Sequence, residues 1–137
     1  MDASFPILVG PVLYANNAPS LAEFLRAFLG LGYRAGQDSG DDPHFIVIDC
    51  DDGTPSLAIQ QVESLPRADW PGGPVPQQVH LDLAVSDIED QRRQVARTLE
   101  LGATVLQDRR HEGHDPLIVM ADPAGHSFCL IAPPMTT

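Results

Sequence analysis

Apolar residues fall along the chain in two rhythms, one of period two and one of period 3.6, and the order of these rhythms occurs twice. Ile7 to Ala15 is a largely apolar strand-like run closed by Asn16 and Asn17. Pro19-Ser20-Leu21 then opens a segment in which Leu21, Phe24, Leu25, Phe28 and Leu29 share one helical face. Gly30 and Gly32 end it, since glycine readily takes the left-handed conformation past a helix end. A short strand is expected over Tyr33–Gln37 and a loop over Asp38–Asp42. A β-branched strand follows over Phe45–Cys50, a turn at Asp51-Asp52-Gly53, and a returning strand over Ser56–Val62.

Residues 64 to 76, SLPRADWPGGPVP, contain four prolines and two glycines, which excludes a helix interior or a central strand and marks a linker. Beyond it the order returns. A strand is expected over Val79–Val85 and a helix over Ile88–Leu101, with Val95, Leu99 and Leu101 among its apolar positions. A short strand over Thr104–Gln107, a polar loop over Asp108–Asp115 and a hairpin of Leu117–Ala121 with Ser127–Ala132 complete the set. The halves superpose as text: FIVIDCDDG at 45–53 matches LIVMADPAG at 117–125 with an offset of 72, and LGLG at 29–32 matches LELG at 99–102 with an offset of 70. The unit is a strand, a helix and three strands, present as module 1 (about 6–63) and module 2 (77–133) of one domain over 1–137. One such unit has a sheet face that a single helix cannot cover, so two copies are expected to share a curved mixed sheet with a concave cavity.

A chain of 137 residues with 43% hydrophobic content suits one such domain. Its formal charge of -11 sets it against nucleic acid phosphates and anionic membrane surfaces. No apolar run is long enough to span a membrane, and MDASFPILVG lacks the features of a signal peptide, so a cytoplasmic location is expected. Cys50 and Cys129 lie far apart on strand-like runs and read as buried thiols.

The candidate chemistry gathers in the second half. In QQVHLDLAVSDIED (77–90), strand alternation sets Val79, Leu81, Leu83 and Val85 on one face and His80, Asp82 and Ala84 on the other. A carboxylate beside an imidazole fixes its tautomer and favours its charged form, which suits acid-base work. His80 is therefore open to three readings: a pocket residue that hydrogen-bonds a ligand, a structural residue, or a catalytic or metal-bound one. The loop DRRHEGHD (108–115) brings His111, Glu112 and His114 together without fixed geometry. It reads as a solvated loop, or as a cavity rim where Arg109 or Arg110 meets an anionic group. Trp70, the only tryptophan, either packs on the core or lines a binding cleft. DPAGH (122–126) is a turn with His126 exposed, and Cys129 reads as a small apolar filler before a nucleophile.

QQVHLDLAVSDIED, LELGA at 99–103 and VMADPAGHSFCLI at 119–131, with the internal repeat, resemble the vicinal oxygen chelate superfamily of glyoxalase I, extradiol dioxygenases and the bleomycin and fosfomycin resistance proteins, in a glyoxalase-like subgroup. The resemblance implies an α+β glyoxalase-like fold and a homodimer. It also implies, in metal-dependent members, four ligands from the first and last strands of each repeat. His80 matches the second-half histidine. Gly10 to Val12 offer no side-chain ligand, Gln60 is a weak oxygen donor with Ala58 on the same face, and Cys129 stands where relatives carry glutamate. The expectation is a metal-free small-molecule pocket drawing on Gln60, Trp70, His80, Asp82, Arg109 and Cys129. The alternative is a metal-dependent or acid-base lyase, isomerase or dioxygenase in which a divalent metal sits on His80 and Gln60.

Overall fold

The computed structural model describes residues 5–34, 44–50, 56–112 and 116–133. The expected turn at 51–53, the loop at 38–42, residues 35–37 and His114 lie outside them. The chain divides into two compact units, 1–64 and 65–137, each with the same element order and each with its own four-stranded mixed sheet.

The first unit contains β1 (Val12–Ala15), α1 (Ala18–Leu29), β2 (Gly32–Tyr33), β3 (Phe45–Asp49) and β4 (Ser56–Gln61), with strand order β1-β4-β3-β2. Strand β1 runs parallel to β4, and the other pairs are antiparallel. Helix α1 begins where Asn17 Oδ1 accepts the Ser20 N–H at 3.2 Å, meeting a donor that has no partner within the helix. It ends on Gly30 in the left-handed conformation (φ 67°). Its buried face is Leu21, Ala22, Phe24, Leu25 and Phe28, with Leu29 half-buried. The expected first strand is too long by half. Leu8 is 90% exposed, and regular pairing starts only at Val12, past Gly10 (φ +152°). A Cβ at Gly10 would lie 2.2 Å from the Ser56 carbonyl oxygen, so the backbone passes there only because the side chain is absent.

The second unit contains β5 (Leu81–Ala84), α2 (Ile88–Glu100), β6 (Thr104–Arg109), β7 (Leu117–Ala121) and β8 (Ser127–Ile131), in the order β5-β8-β7-β6. Asp87 caps α2 by accepting the Asp90 N–H at 2.7 Å, at the position equivalent to Asn17. Leu99 was expected inside, yet it is exposed, and the buried positions of α2 are Gln91, Val95 and Thr98. These polar groups are tolerated because they bond backbone. Gln91 Nε2 donates to the carbonyls of Pro116 (3.0 Å) and Leu130 (2.9 Å), and Thr98 Oγ1 donates within its own helix. The expected loop from Asp108 is partly strand, since β6 continues to Arg109.

Residues 65–76 belong to the second unit. Asp69 and Pro76 form a bridge, and a Cβ at Gly125 would come within 3.0 Å of Arg67 Cγ, so the linker packs on the turn it passes. That turn, Asp122 to His126, is closed by Asp122, whose Oδ1 accepts the backbone N–H groups of Ala124 and His126. His126 is not exposed as expected. Its ring Nδ1 lies 2.9 Å from Asp122 Oδ2, and its side chain is largely covered. Both cysteines are free, Cys129 buried and Cys50 half-buried.

Candidate functional site

The register of the second sheet determines which side chains can meet. Asp82 pairs with Cys129, Cys129 with Val119 and Val119 with Gln107, giving one row across β5, β8, β7 and β6. The row lies on the face away from α2, because Thr98 of α2 touches Met120, the strand neighbour of Val119 that points the other way. Gln107 reaches this row through a register shift between Val105 and Gln107 that leaves Leu106 as an extra residue. Such a bulge re-aims the side chains after it, and here it turns Gln107 and Arg109 to the Asp82 side and Asp108 to the α2 side.

His80 precedes β5 by one residue and shares the face of Asp82, with its Nε2 3.1 Å from Asp82 Oδ1. Gln77 Nε2 lies 3.4 Å from the other ring nitrogen, Nδ1, and Ser127 Oγ donates to Gln77 Oε1. The amide of Gln77 can only donate to Nδ1, so the network assigns the proton to Nε2 and directs it at Asp82. The Cys129 sulfur belongs to the same cluster, within 4.8 Å of the Asp82 carboxylate. Burial pushes that thiol up to about 11, the Asp82 charge adds to the rise, and Arg109 opposes it. Asp82 thus meets an imidazole at 3.1 Å and lies beside a buried thiol, while its side chain stays 58% exposed. A carboxylate with two oxygens has acceptor capacity left for a further donor.

Trp70, which had two open readings, stands outside the buried core. Its indole meets the His80 ring edge-on at 5.8 Å between centroids, and its Nε1 donates to Gln107 Oε1 at 3.1 Å. Arg109 is on the same side and pairs with Glu112 at 2.9 Å. His80, Asp82, Cys129, Trp70 and Arg109 therefore gather within the second unit. Gln60 belongs to the first, on β4 between Tyr14 and Phe45, and the register makes Ile131 its counterpart in the second. Three residues that sequence reasoning missed complete the site: Gln77, Gln107 and Ser127. Gln77 stands three residues before His80 and was legible only as a polar neighbour.

A glyoxalase-like domain model matches residues 11–131. The chain belongs to the glyoxalase-like domain family. No curated protein sequence matches this glyoxalase-like domain. Solved structures share its fold. One is a glyoxalase/bleomycin resistance protein/dioxygenase family enzyme from Burkholderia phytofirmans (TM-score 0.69, 14% identity, covering 92% of this chain and 98% of that one). Another is the fosfomycin resistance protein FosX from Mesorhizobium loti (0.67, 18%, 96% and 95%). A third is a lactoylglutathione lyase from Agrobacterium tumefaciens (0.61, 21%, 93% and 94%). These structures share the two-module fold that the motifs implied.

The fold family implies a divalent metal in some members, and the donor set can be tested against it. His80, Asp82 and Cys129 bring one ligand atom each within 4.8 Å of one another, a nitrogen, oxygen and sulfur set closer to a zinc site than to a hard-cation cage. One feature opposes it: the register counterparts in the first module, Gly10, Val12 and Ala58, carry no donor. At Gly10 no donor can be installed, because the Ser56 carbonyl occupies the space of a Cβ. The four-donor arrangement drawn from both repeats does not fit this glyoxalase-like domain.

Proposed function

We propose that this glyoxalase-like domain binds a small molecule on the Asp82 face of its second module without a resident metal. The observation that supports this reading is the Asp82 carboxylate, which holds the His80 imidazole at 3.1 Å beside the buried Cys129 thiol and remains exposed to accept from a ligand. Trp70 supplies an apolar wall for a ring, and Arg109, held by Glu112, supplies a cation for an anionic group. The reading also includes a homodimer, in keeping with the exposed run Ile7-Leu8-Val9, and a cytoplasmic location. No helix among the described residues is long and apolar enough to cross a membrane.

A second reading, a metal-dependent or acid-base lyase, isomerase or dioxygenase, is favoured by the three donors within 4.8 Å. Elemental analysis of chelator-free protein, repeated after incubation with Zn, Ni, Mn and Fe, separates the two. The first reading expects substoichiometric metal in both wild type and His80→Ala. Stoichiometric metal that disappears in His80→Ala establishes the second. Binding itself is tested with 8-anilinonaphthalene-1-sulfonate, whose rings suit the indole and whose sulfonate suits Arg109. Saturable quenching of Trp70 emission, weakened about tenfold by Arg109→Ala, is expected. An unchanged emission would refute the proposed face.

A further inference from the structure

On the other face of the same sheet lies a pocket of about 420 Å³ lined by Ile88, Gln91, Arg92, Asp108, Arg110 and His111. Ile88, Gln91 and Arg92 are spaced i, i+3, i+4 in the first turn of α2 and so share one helix face. Asp108 is directed there by the Leu106 bulge, opposite to Gln107 and Arg109. The pocket is thus separate from the Asp82 face.

Its chemistry has two halves. Two of the eight Lys and Arg residues in a chain of charge -11 converge on it, with one carboxylate between them. Asp108 occupies Nε and Nη2 of Arg110, at 3.0 and 2.7 Å, which leaves Nη1 of the guanidinium. Arg92 approaches Glu89 only at 3.7 Å, beyond hydrogen-bond range, and is largely exposed. His111 adds ring nitrogens. The second half is Gln91, which is fully buried and forms part of the lining. Its Nε2 is spent on two carbonyls, and its Oε1 is the one buried side-chain polar atom without a partner among the described residues. A buried acceptor left unpaired is costly, and its position calls for a donor. An anion alone would satisfy the arginines and leave this acceptor unmet.

We infer that this pocket is a second ligand site, for a small carboxylate bearing a neighbouring hydroxyl, with the carboxylate on Arg92 and Arg110 and the hydroxyl donating to Gln91 Oε1. Malate is the probe and succinate its counterpart without the hydroxyl. Titration of the isotope-labelled full chain, followed by amide and side-chain NMR shifts, is expected to show saturable malate shifts at Ile88, the Gln91 side chain and Arg110. Succinate should bind at least tenfold more weakly. Arg92→Met and Arg110→Met should each weaken malate about tenfold, and His80→Ala should leave it unchanged. The Arg92 side chain is solvent-exposed, so its variant folds independently of the outcome, and each variant's own spectrum reports its fold. The inference is overturned if malate gives no saturable shift at millimolar concentration, if succinate binds equally well, if the arginine variants bind as wild type, or if the shifts centre on His80 and Asp82.

Discussion

At position 21 the first helix buries a leucine, and seventy residues later, at 91, the second buries a glutamine. The same offset sets Leu25 against Val95 and Phe28 against Thr98, so the two modules start their helices at equivalent N-cap positions and fill them differently. The sheets diverge in the opposite sense. Where the second has His80, Asp82 and Cys129, the first has Gly10, Val12 and Ala58. The first module invests its positions in apolar packing, and the second gives part of that packing up for polar groups tied to backbone and to one another. A repeated backbone therefore does not imply repeated chemistry, because the strand geometry survives substitutions that remove every donor.

The largest effect that tests this contrast is truncation of the two helix cores. Leu25→Ala is expected to cost about 2–5 kcal/mol of unfolding free energy, by burial and cavity together. Val95→Ala removes fewer methylenes and should cost about 1–3 kcal/mol. Equal losses in denaturant titrations would break the asymmetry.

The next effect belongs to Cys129. Its folded pKa is raised from 9.0 to about 11, so the folded state holds the thiol proton more tightly than the unfolded chain does. The associated stability is present in full below pH 9 and is lost as pH rises through about 11, with a size of about 3 kcal/mol. Cys129→Ala should therefore flatten the alkaline arm of the stability curve between these values, measured against wild type in the same buffers. A curve unchanged by the substitution would show that burial and Asp82 do not hold the thiol.

The smallest effect lies at the surface of the first module, where Arg26 and then Tyr33 hydrogen-bond Glu23 and lower its carboxyl to about 2. A depressed carboxylate stabilises above its unfolded value of 4.5 and loses that contribution as pH falls toward 2. Because the pair is solvent-exposed, Glu23→Gln should cost less than about 1 kcal/mol at neutral pH. A larger loss in thermal denaturation would mean that the first module depends on its surface more than on its core.

Most of the fold could be read from the residues. The helix starts after Asn17 and at Ile88, the stop at Gly30 and the offset of the two hairpins all rest on local rules that tertiary packing did not overturn. The alternation that put His80 and Asp82 on one face also survived, and the pair lies in contact. What failed depended on distant partners. The run from Ile7 reads as strand by composition, but a carbonyl from Ser56 decides where pairing can start. Leu99 looks like a core residue until the sheet turns out to meet the helix along Gln91, Val95 and Thr98. Trp70 and Gln77 reach the site through a proline-rich stretch, whose course no periodicity describes.

The extra residue at Leu106 has one more consequence. Gln107 and Asp108 are adjacent in the chain yet look to opposite sides, one to the indole of Trp70 and the other to the pocket beside Ile88. Deleting that single leucine would leave Val105 opposite Met120 and Gln107 opposite Val119, so both side chains would keep their sides while the local kink disappears. Straightening the strand with the leucine kept is what would exchange the two audiences, so a slip of one residue, with no change of sequence, is enough to rewrite both surfaces.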